Sequence, residues 1–258
     1  MGINLNFKES LAAGYKNESQ KARRLTEGWV LDNLYCPRCG NLKLQHSDNN
    51  AAVADFYCLR CNNIFELKSK NGRIGDRFVN GAYDTMIQRI TSNTNPDFLF
   101  MNYYRNELRL ENLILIPKHF FMPDIIEKRK PLSSNARRAG WTGCNIFIGG
   151  IPEQGRIYIV RDNTIISKEK VLELVSRSNT LATEDIESRG WLLDVLYYTN
   201  SIDGDTFSLQ QIYDFESHLA LKHPDNHHIK AKIRQQLQIL RDKGYLEFLG
   251  NGKYRKII

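Results

Sequence analysis

Cys36-Pro-Arg-Cys39, eighteen intervening residues, Cys58-Leu-Arg-Cys61 and then Ile64-Phe-Glu66-Leu67-Lys68-Ser69 form the stretch on which the rest of the chain depends. The spacing of the two C-x-x-C pairs matches that of a four-thiolate zinc site. A closed set of four cysteines holds zinc tetrahedrally and leaves no position for substrate, so Cys36, Cys39, Cys58 and Cys61 are expected to bind a structural Zn2+. Such a site contributes on the order of 10 kcal/mol to folding. Packing of the polar run Ser47-Asp48-Asn49-Asn50 between the pairs could not match that. Redox dithiols and buried free thiols are the competing readings, and the doubled spacing argues against both. The fifth cysteine, Cys144, reads as a small buried hydrophobe.

Outward from the knuckles, Ala51 to Cys58 and Ile64 to Ser69 read as two strands joined through the second cysteine pair. Strand geometry puts Glu66 and Lys68 on one face and Phe65 and Leu67 on the other. Asp55 sits in Ala-Val-Ala-Asp-Phe-Tyr and Glu66 in Ile-Phe-Glu-Leu-Lys, apolar settings in which an unpaired carboxylate is costly. Phosphodiester cleavage requires a divalent metal that stabilises charge on the phosphate and lowers the pKa of the attacking water. Mg2+ takes one or two carboxylates plus waters and phosphate. Asp55 and Glu66 could supply these, with the Leu67 carbonyl as a third ligand and Lys68 placed to position or deprotonate the water. Taken alone, D-x10-E-x-K is a weak pattern. An acid beside a zinc knuckle also serves to orient a ligand, and Glu66 with Lys68 also reads as a surface ion pair.

Before the knuckles, Ser19 to Leu34 reads as an amphipathic helix carrying Ala22, Leu25, Trp29 and Val30 on one side, with Ser19 as N-cap. After them, Val79, Ala82, Tyr83, Met86, Ile87 and Ile90 make a helical stripe that ends before Asn95-Pro96. Four strand-like pieces follow, Phe98 to Tyr104, Leu108 to Ile116, Asn145 to Ile148 and Arg156 to Val160, and then a short helix from Ser167 to Val175. Strands alternating with helices predict an α/β fold, a mixed sheet with flanking helices. Ser176 to Asp185 lacks periodicity, which sets a boundary between residues 1–183 and 184–258. The second part reads as helices over Ile186 to Tyr198, Ser208 to Leu221 and His227 to Lys243, then a hairpin turning at Gly250-Asn251-Gly252. Three helices and a hairpin of this length describe a winged helix.

The 258 residues are 41% hydrophobic and 25% charged, an ordinary globular composition, and the net charge of +7 with a pI near 9.1 suits a polyanionic partner. No apolar run approaches the length of a membrane helix and the start shows no apolar signal region, so a soluble cytoplasmic protein is expected, with no membrane and no obligate protein partner. Two basic regions suit nucleic acid. The loop Glu127 to Trp141 carries Arg137 and Arg138 beside Trp141; a solvated charge run and a core tryptophan are the plainer readings. On the third helix of the second part, Ile229, Ile233, Leu237 and Leu240 form a core side. His227, Ala231, Arg234, Gln235 and Gln238 oppose them, with His228, Lys230 and Lys232 alongside and Lys253 and Arg255 on the hairpin. Gln can pair with an adenine edge, Arg with guanine, and Ala can touch a methyl group, while lysines take phosphates. Acids concentrate in residues 184 to 225 and bases beyond Lys230, which orients this face toward DNA.

Asp55 with Glu66-x-Lys68 resembles the PD-(D/E)xK nuclease motif, with Ala54 where proline usually precedes the first acid. More narrowly, the chain is similar to the DpnI-type methyl-directed restriction endonucleases. Val53-Ala-Asp-Phe-Tyr-Cys58, Glu66-Leu-Lys-Ser-Lys70, Gly81-Ala-Tyr83, Arg137-Arg-Ala-Gly-Trp141, Ser188-Arg-Gly-Trp191 and Ile229 to Lys243 carry the likeness across nearly the whole length. The resemblance implies a magnesium-dependent nuclease domain with an inserted zinc site, followed by a winged helix. It also implies double-strand cleavage of DNA at GATC when the adenine is methylated on its exocyclic amine. Two other classes compete: a zinc-containing winged-helix transcriptional regulator without chemistry, and a repair or recombination nuclease that senses DNA structure.

Overall fold

Helix α1 (Glu18–Asn33) starts on Asn17, whose side chain accepts from the Ser19 and Gln20 amides at 2.9 and 3.4 Å. Asn17 rather than Ser19 is therefore the N-cap; both residue types cap well, and the geometry selects the earlier. The computed structural model describes residues 2–47, 54–92 and 94–257. The chain divides into two units, Met1–Gly149 with Gln154–Asn179, and Gly150–Glu153 with Thr180–Ile258.

In the first unit, α1 is followed by β1 (Gln45–His46), β2 (Phe56–Tyr57), β3 (Ile64–Asn71), β4 (Arg77–Ala82), α2 (Tyr83–Ile90), β5 (Asp97–Tyr104), β6 (Arg109–Ile116), β7 (Ile126–Lys128), β8 (Gly143–Phe147), β9 (Ile157–Arg161), β10 (Thr164–Ile165) and α3 (Lys168–Asn179). The main sheet has the order β1-β2-β3-β5-β6-β9-β10, and a smaller sheet has β4-β8-β7. Among the described residues only the central pair β3–β5 is parallel; the segment between them carries β4 and α2 as the crossover such a pair requires.

β5 is buried from Asp97 to Tyr103, and this explains its unbroken apolar run: both faces of the strand are covered. Leu99 and Met101 join Leu25, Trp29, Val30 and Phe65 in one core. Phe98 and Phe100 point to the other face, where Phe121 lies 4.3 Å from Phe98 and Phe78 lies 4.7 Å from Phe100 between ring centres. In the parallel register Glu66 pairs with Phe98 and Lys68 with Phe100. The acid and the lysine therefore share the face opposite α1.

Several sequence expectations shift here. The stripe from Val79 to Ile90 is two elements, because Arg77–Ala82 pairs with β8 and leaves Val79 68% exposed, and the helix begins only at Tyr83. Edge pairing to a distant strand outweighed a local helical period. Of the strand expected over Ala51 to Cys58, Phe56–Tyr57 is strand, while 51–53 lie outside the described residues. Helix α3 continues to Asn179, beyond Val175 and into the stretch that lacks periodicity.

The second unit contains α4 (Ile186–Ser201), β11 (Thr206–Ser208), α5 (Leu209–Tyr213), α6 (Glu216–Lys222), α7 (Ile229–Asp242), β12 (Leu246–Gly250) and β13 (Lys253–Lys256). Its sheet order is β11-β13-β12, and with α7 it forms a winged helix-turn-helix domain. The helix expected over Ser208 to Leu221 is broken at Asp214-Phe215 into α5 and α6. A capping box on Ser208 and Gln211 starts α5. β11 had no signal in the sequence beyond three residues; it exists because β13 supplies its hydrogen bonds. Left-handed conformations at Gly250, Asn251 and Gly252, with φ of 88°, 48° and 69°, make the hairpin turn.

Candidate functional site

The two cysteine knuckles have the same backbone. In the first, Gly40 N–H bonds to Cys36 O at 2.8 Å and Cys36 N–H to Asn41 O at 2.7 Å; in the second, Asn62 N–H bonds to Cys58 O at 2.8 Å and Cys58 N–H to Asn63 O at 3.0 Å. Gly40 (φ 74°) and Asn62 (φ 56°) take the left-handed position that closes each turn, which is why glycine and asparagine occupy it. Together the turns bring the four sulfurs within 4.8 Å of one another, with Cys36–Cys61 at 3.7 Å and Cys39–Cys58 at 3.6 Å. A disulfide would need about 2.05 Å. A tetrahedron with Zn–S bonds of about 2.3 Å has edges of about 3.8 Å, so the donor set fits zinc. Burial pushes the Cys36 thiol up, whereas at Cys58 the amides of Cys61 and Arg60 and the neighbouring thiols outweigh burial and bring it down to about 7.

A buried ion pair ties the first knuckle to the sheet. Arg38, between Cys36 and Cys39, places Nε and Nη2 on the two oxygens of Asp97 at 2.5 and 2.6 Å. Asp97 is fully buried at the start of β5 and also accepts from Asn63 Nδ2 at 2.7 Å and Lys118 N–H at 2.8 Å. All its lone pairs are engaged, as a buried carboxylate requires. Asp97 lies opposite Phe65 in the register, one residue from Glu66.

Asp55 immediately precedes β2. Its backbone N–H bonds to Phe65 O at 2.9 Å, and its Oδ2 accepts from the Leu67 N–H at 2.7 Å. The antiparallel register, Phe56 opposite Phe65, sets Asp55 against Glu66. Glu66 is ion-paired to Lys68 on its own strand and to Arg89 from α2. Burial holds the Asp55 carboxyl above its ordinary range; the Leu67 amide opposes this, Glu66 and Glu27 add to it, and Lys68 opposes it. The geometry thus unites Asp55, Glu66 and Lys68, and it engages the amide of Leu67. Adjacent acids, Glu66 buried and Asp55 half-buried, the latter held above its ordinary pKa by burial and by its acidic neighbours, are a donor set suited to a divalent cation.

Three neighbours were not singled out in the sequence. Arg89 follows Gln88 on α2 and flanks the Met86–Ile90 stripe, a place where an arginine reads as solvated. Glu27 on α1 is buried, with Arg23 Nε at 2.6 Å and His46 Nε2 at 3.3 Å. Its signal was the Arg23–Glu27 spacing of four. Asp97 had no signal beyond an acid opening an apolar strand.

In the basic loop, Leu132 N–H bonds to Trp141 O at 2.9 Å and Gly140 N–H to Leu132 O at 3.0 Å, closing a turn, and Trp141 is half-buried with the Arg138 guanidinium 4.3 Å from its ring centre. The same ring covers Gly143, where a Cβ would meet it at 2.9 Å. Arg137 is exposed. In the second unit Ile229, Ile233, Leu237 and Leu240 are buried, and Lys230, Ala231, Arg234, Gln235 and Gln238 are exposed, with Lys232 half-buried. His227 and His228 precede α7 rather than lying on it. Arg234 Nη1 donates to the Tyr213 hydroxyl at 2.7 Å, and Lys230 lies 3.3 Å from Glu216. On the wing, Lys253 is exposed and Arg255 pairs with Glu247 at 2.8 Å.

Residues 3–184 match the model of the DpnI, or Dam-replacing, family, and residues 187–256 match that of the Dam-replacing HTH domain. These matches make the chain a DNA-binding restriction nuclease. The chain belongs to the Dam-replacing family, whose activity is methylation-dependent restriction of DNA. A regulator without chemistry is not favoured by that membership. Among the described residues no helix is long and apolar enough to cross a membrane.

Proposed function

We propose that the protein is a type II endonuclease of the cytoplasm that makes double-strand cuts in DNA at GATC sites containing 6-methyladenine, by magnesium-dependent hydrolysis. Residues 1–183 would form the catalytic domain and residues 184–258 the DNA-reading winged helix. The observation that carries the reading is the close group of Asp55, just before β2, with Glu66 and Lys68 on β3, Glu66 buried and the other two half-buried, in a chain of this family.

Asp55, Glu66 and the Leu67 carbonyl would hold Mg2+, which when bound polarises the phosphate and acidifies the attacking water. The residues themselves do the rest. The Leu67 amide fixes the Asp55 carboxylate, so that acid needs no reorganisation when a cation arrives. Lys68, on the same face as Glu66, would position the attacking water through its ammonium group. Zn2+ on Cys36, Cys39, Cys58 and Cys61 fixes the two turns that flank Asp55 and, through Arg38 and Asp97, the strand beside Glu66. The exposed face of α7 would enter the major groove, with Ala231 and Gln235 on the methylated adenine, Arg234 on guanine, and His227, His228, Lys230 and Lys232 toward phosphates. Lys253 and Arg255 on the wing, and Arg137 and Arg138 beside Trp141, extend the phosphate contacts. The Trp141 ring would pack on the methyl groups.

Incubation of the protein and Mg2+ with plasmid carrying methyladenine at GATC, and with the same plasmid unmethylated, tests this. The methylated plasmid should fall to the GATC fragment pattern while the other stays intact. Cleavage of both, or a pattern unrelated to GATC, would favour the structure-sensing nuclease instead.

A further inference from the structure

Among the described residues, Arg89 is the one cation paired to the site's acids that has no part in the proposed reaction. It comes from α2, the helix that crosses from β3 to β5, and its Nη1 edge is ion-paired with Glu66. Its Nε and Nη2 are buried and have no hydrogen-bond partner among the described residues. Those two nitrogens form the fork edge of a guanidinium, the edge that fits two oxygens of one carboxylate or phosphate. Arg38 shows the same edge satisfied, with Nε and Nη2 on both oxygens of Asp97. At Arg89 the fork has no such acceptor among the described residues, and a stranded buried donor is destabilising.

Glu66 alone does not explain this arrangement. Lys68 already pairs with Glu66, and although Asp55 beside it balances a second positive charge, the Nε–Nη2 edge of Arg89 reaches neither carboxylate. In a site that hydrolyses DNA the arriving anion is a phosphodiester. We propose that Arg89 is a further catalytic residue: in the free chain it is the second counter-charge of Glu66, and on DNA binding its guanidinium turns and its Nε–Nη2 fork takes the non-bridging oxygens of the scissile phosphate. The inference rests on the nuclease reading above. It assigns to Arg89 the stabilisation of charge that grows on the phosphate as the water attacks, and it leaves methyl recognition to other residues.

The test pairs a protein change with a DNA change. Wild type, Arg89→Gln and Arg89→Lys are titrated in Ca2+, without cleavage, against a GATC duplex methylated on both adenines, and against the same duplex with a neutral methylphosphonate at the scissile position. Wild type should bind the neutral duplex about 10- to 100-fold more weakly, the worth of a charge-assisted contact. Arg89→Gln should show a difference between the two duplexes about 10-fold or more smaller than wild type does, because only the contact of the bound Ca2+ with the phosphate is left to lose. With Mg2+ at saturation, its single-turnover cleavage of the natural duplex should fall by about 10²–10³. Arg89→Lys keeps the charge without the fork and should recover part of the binding difference. Thermal melting of each variant shows whether it is folded.

An equal loss of affinity in wild type and Arg89→Gln would overturn the contact. So would a variant whose cleavage returns to wild-type rate once Mg2+ is raised, since Arg89 would then only compete with the metal for Glu66. A wild-type protein that cuts neither methylated nor unmethylated duplex overturns the nuclease reading, and this inference with it.

Discussion

At the scale of single residues, the site is a set of charges whose costs do not cancel within the free chain. Asp55 is held above its ordinary value near 3.8 by burial first and by Glu66 and Glu27 after it. For an acid shifted in this direction the folded state holds its proton more tightly than the unfolded state, so its contribution to stability is fullest at low pH and is lost as pH rises through the folded pKa. Asp55→Asn, which keeps an oxygen for the Leu67 amide, should therefore melt above wild type in metal-free neutral buffer, with the gap opening as pH rises from the ordinary carboxylate range through the folded pKa and constant above it. Added Mg2+ should raise the melting temperature of wild type and not of the variant. A variant that melts below wild type in EDTA would show that the carboxylate is not under strain. The period-two pattern of Ile64 to Ser69 made the shared face of Glu66 and Lys68 legible in the sequence. Arg89 was not legible, because nothing in a linear pattern tells which helical arginine a crossover will return to the strand it left.

At the scale of elements, the knuckles were readable because metal ligands must recur at fixed spacing, whereas what anchors them was not. Arg38 looked like filler between Cys36 and Cys39, yet it makes the buried pair with Asp97. Breaking such a pair leaves an uncompensated charge, and Arg38→Ala or Asp97→Ala should lose about 3–5 kcal/mol, measured by denaturant unfolding of the zinc-loaded protein. Cys36→Ser or Cys58→Ser should yield poorly soluble or partly unfolded protein that retains less than one zinc per chain by elemental analysis. A cysteine variant that melts like wild type would deny the knuckles a folding role. The errors in reading elements have one physical origin. Val79 and Ala82 suited a helix locally, and pairing with β8 made them strand; Asp214 and Phe215 continued a helical period that the packing of α5 and α6 interrupts.

At the scale of the whole molecule, discrimination is the demanding task. One buried methyl in an apolar contact is worth about 1–3 kcal/mol, little protection for DNA that must be spared. Two methyls on a palindrome help, and two independent readers help further because their selectivities multiply. Segment 184–258 alone should bind methylated GATC duplex in preference to unmethylated duplex, and segment 1–183 should still cut methylated sites, more weakly than the full chain. Equal affinity of the isolated winged helix for both duplexes, read by fluorescence anisotropy, would confine methyl reading to the catalytic domain.

The most direct measurement of the central claim compares cleavage with binding in the full chain. Wild type and Asp55→Ala, Glu66→Ala and Lys68→Ala are assayed on methylated plasmid with Mg2+, and their affinities for methylated duplex are measured in Ca2+. All three variants should lose cleavage while binding the duplex close to wild type. Wild-type cleavage by any one of them would contradict the assignment of the active site to β2 and β3.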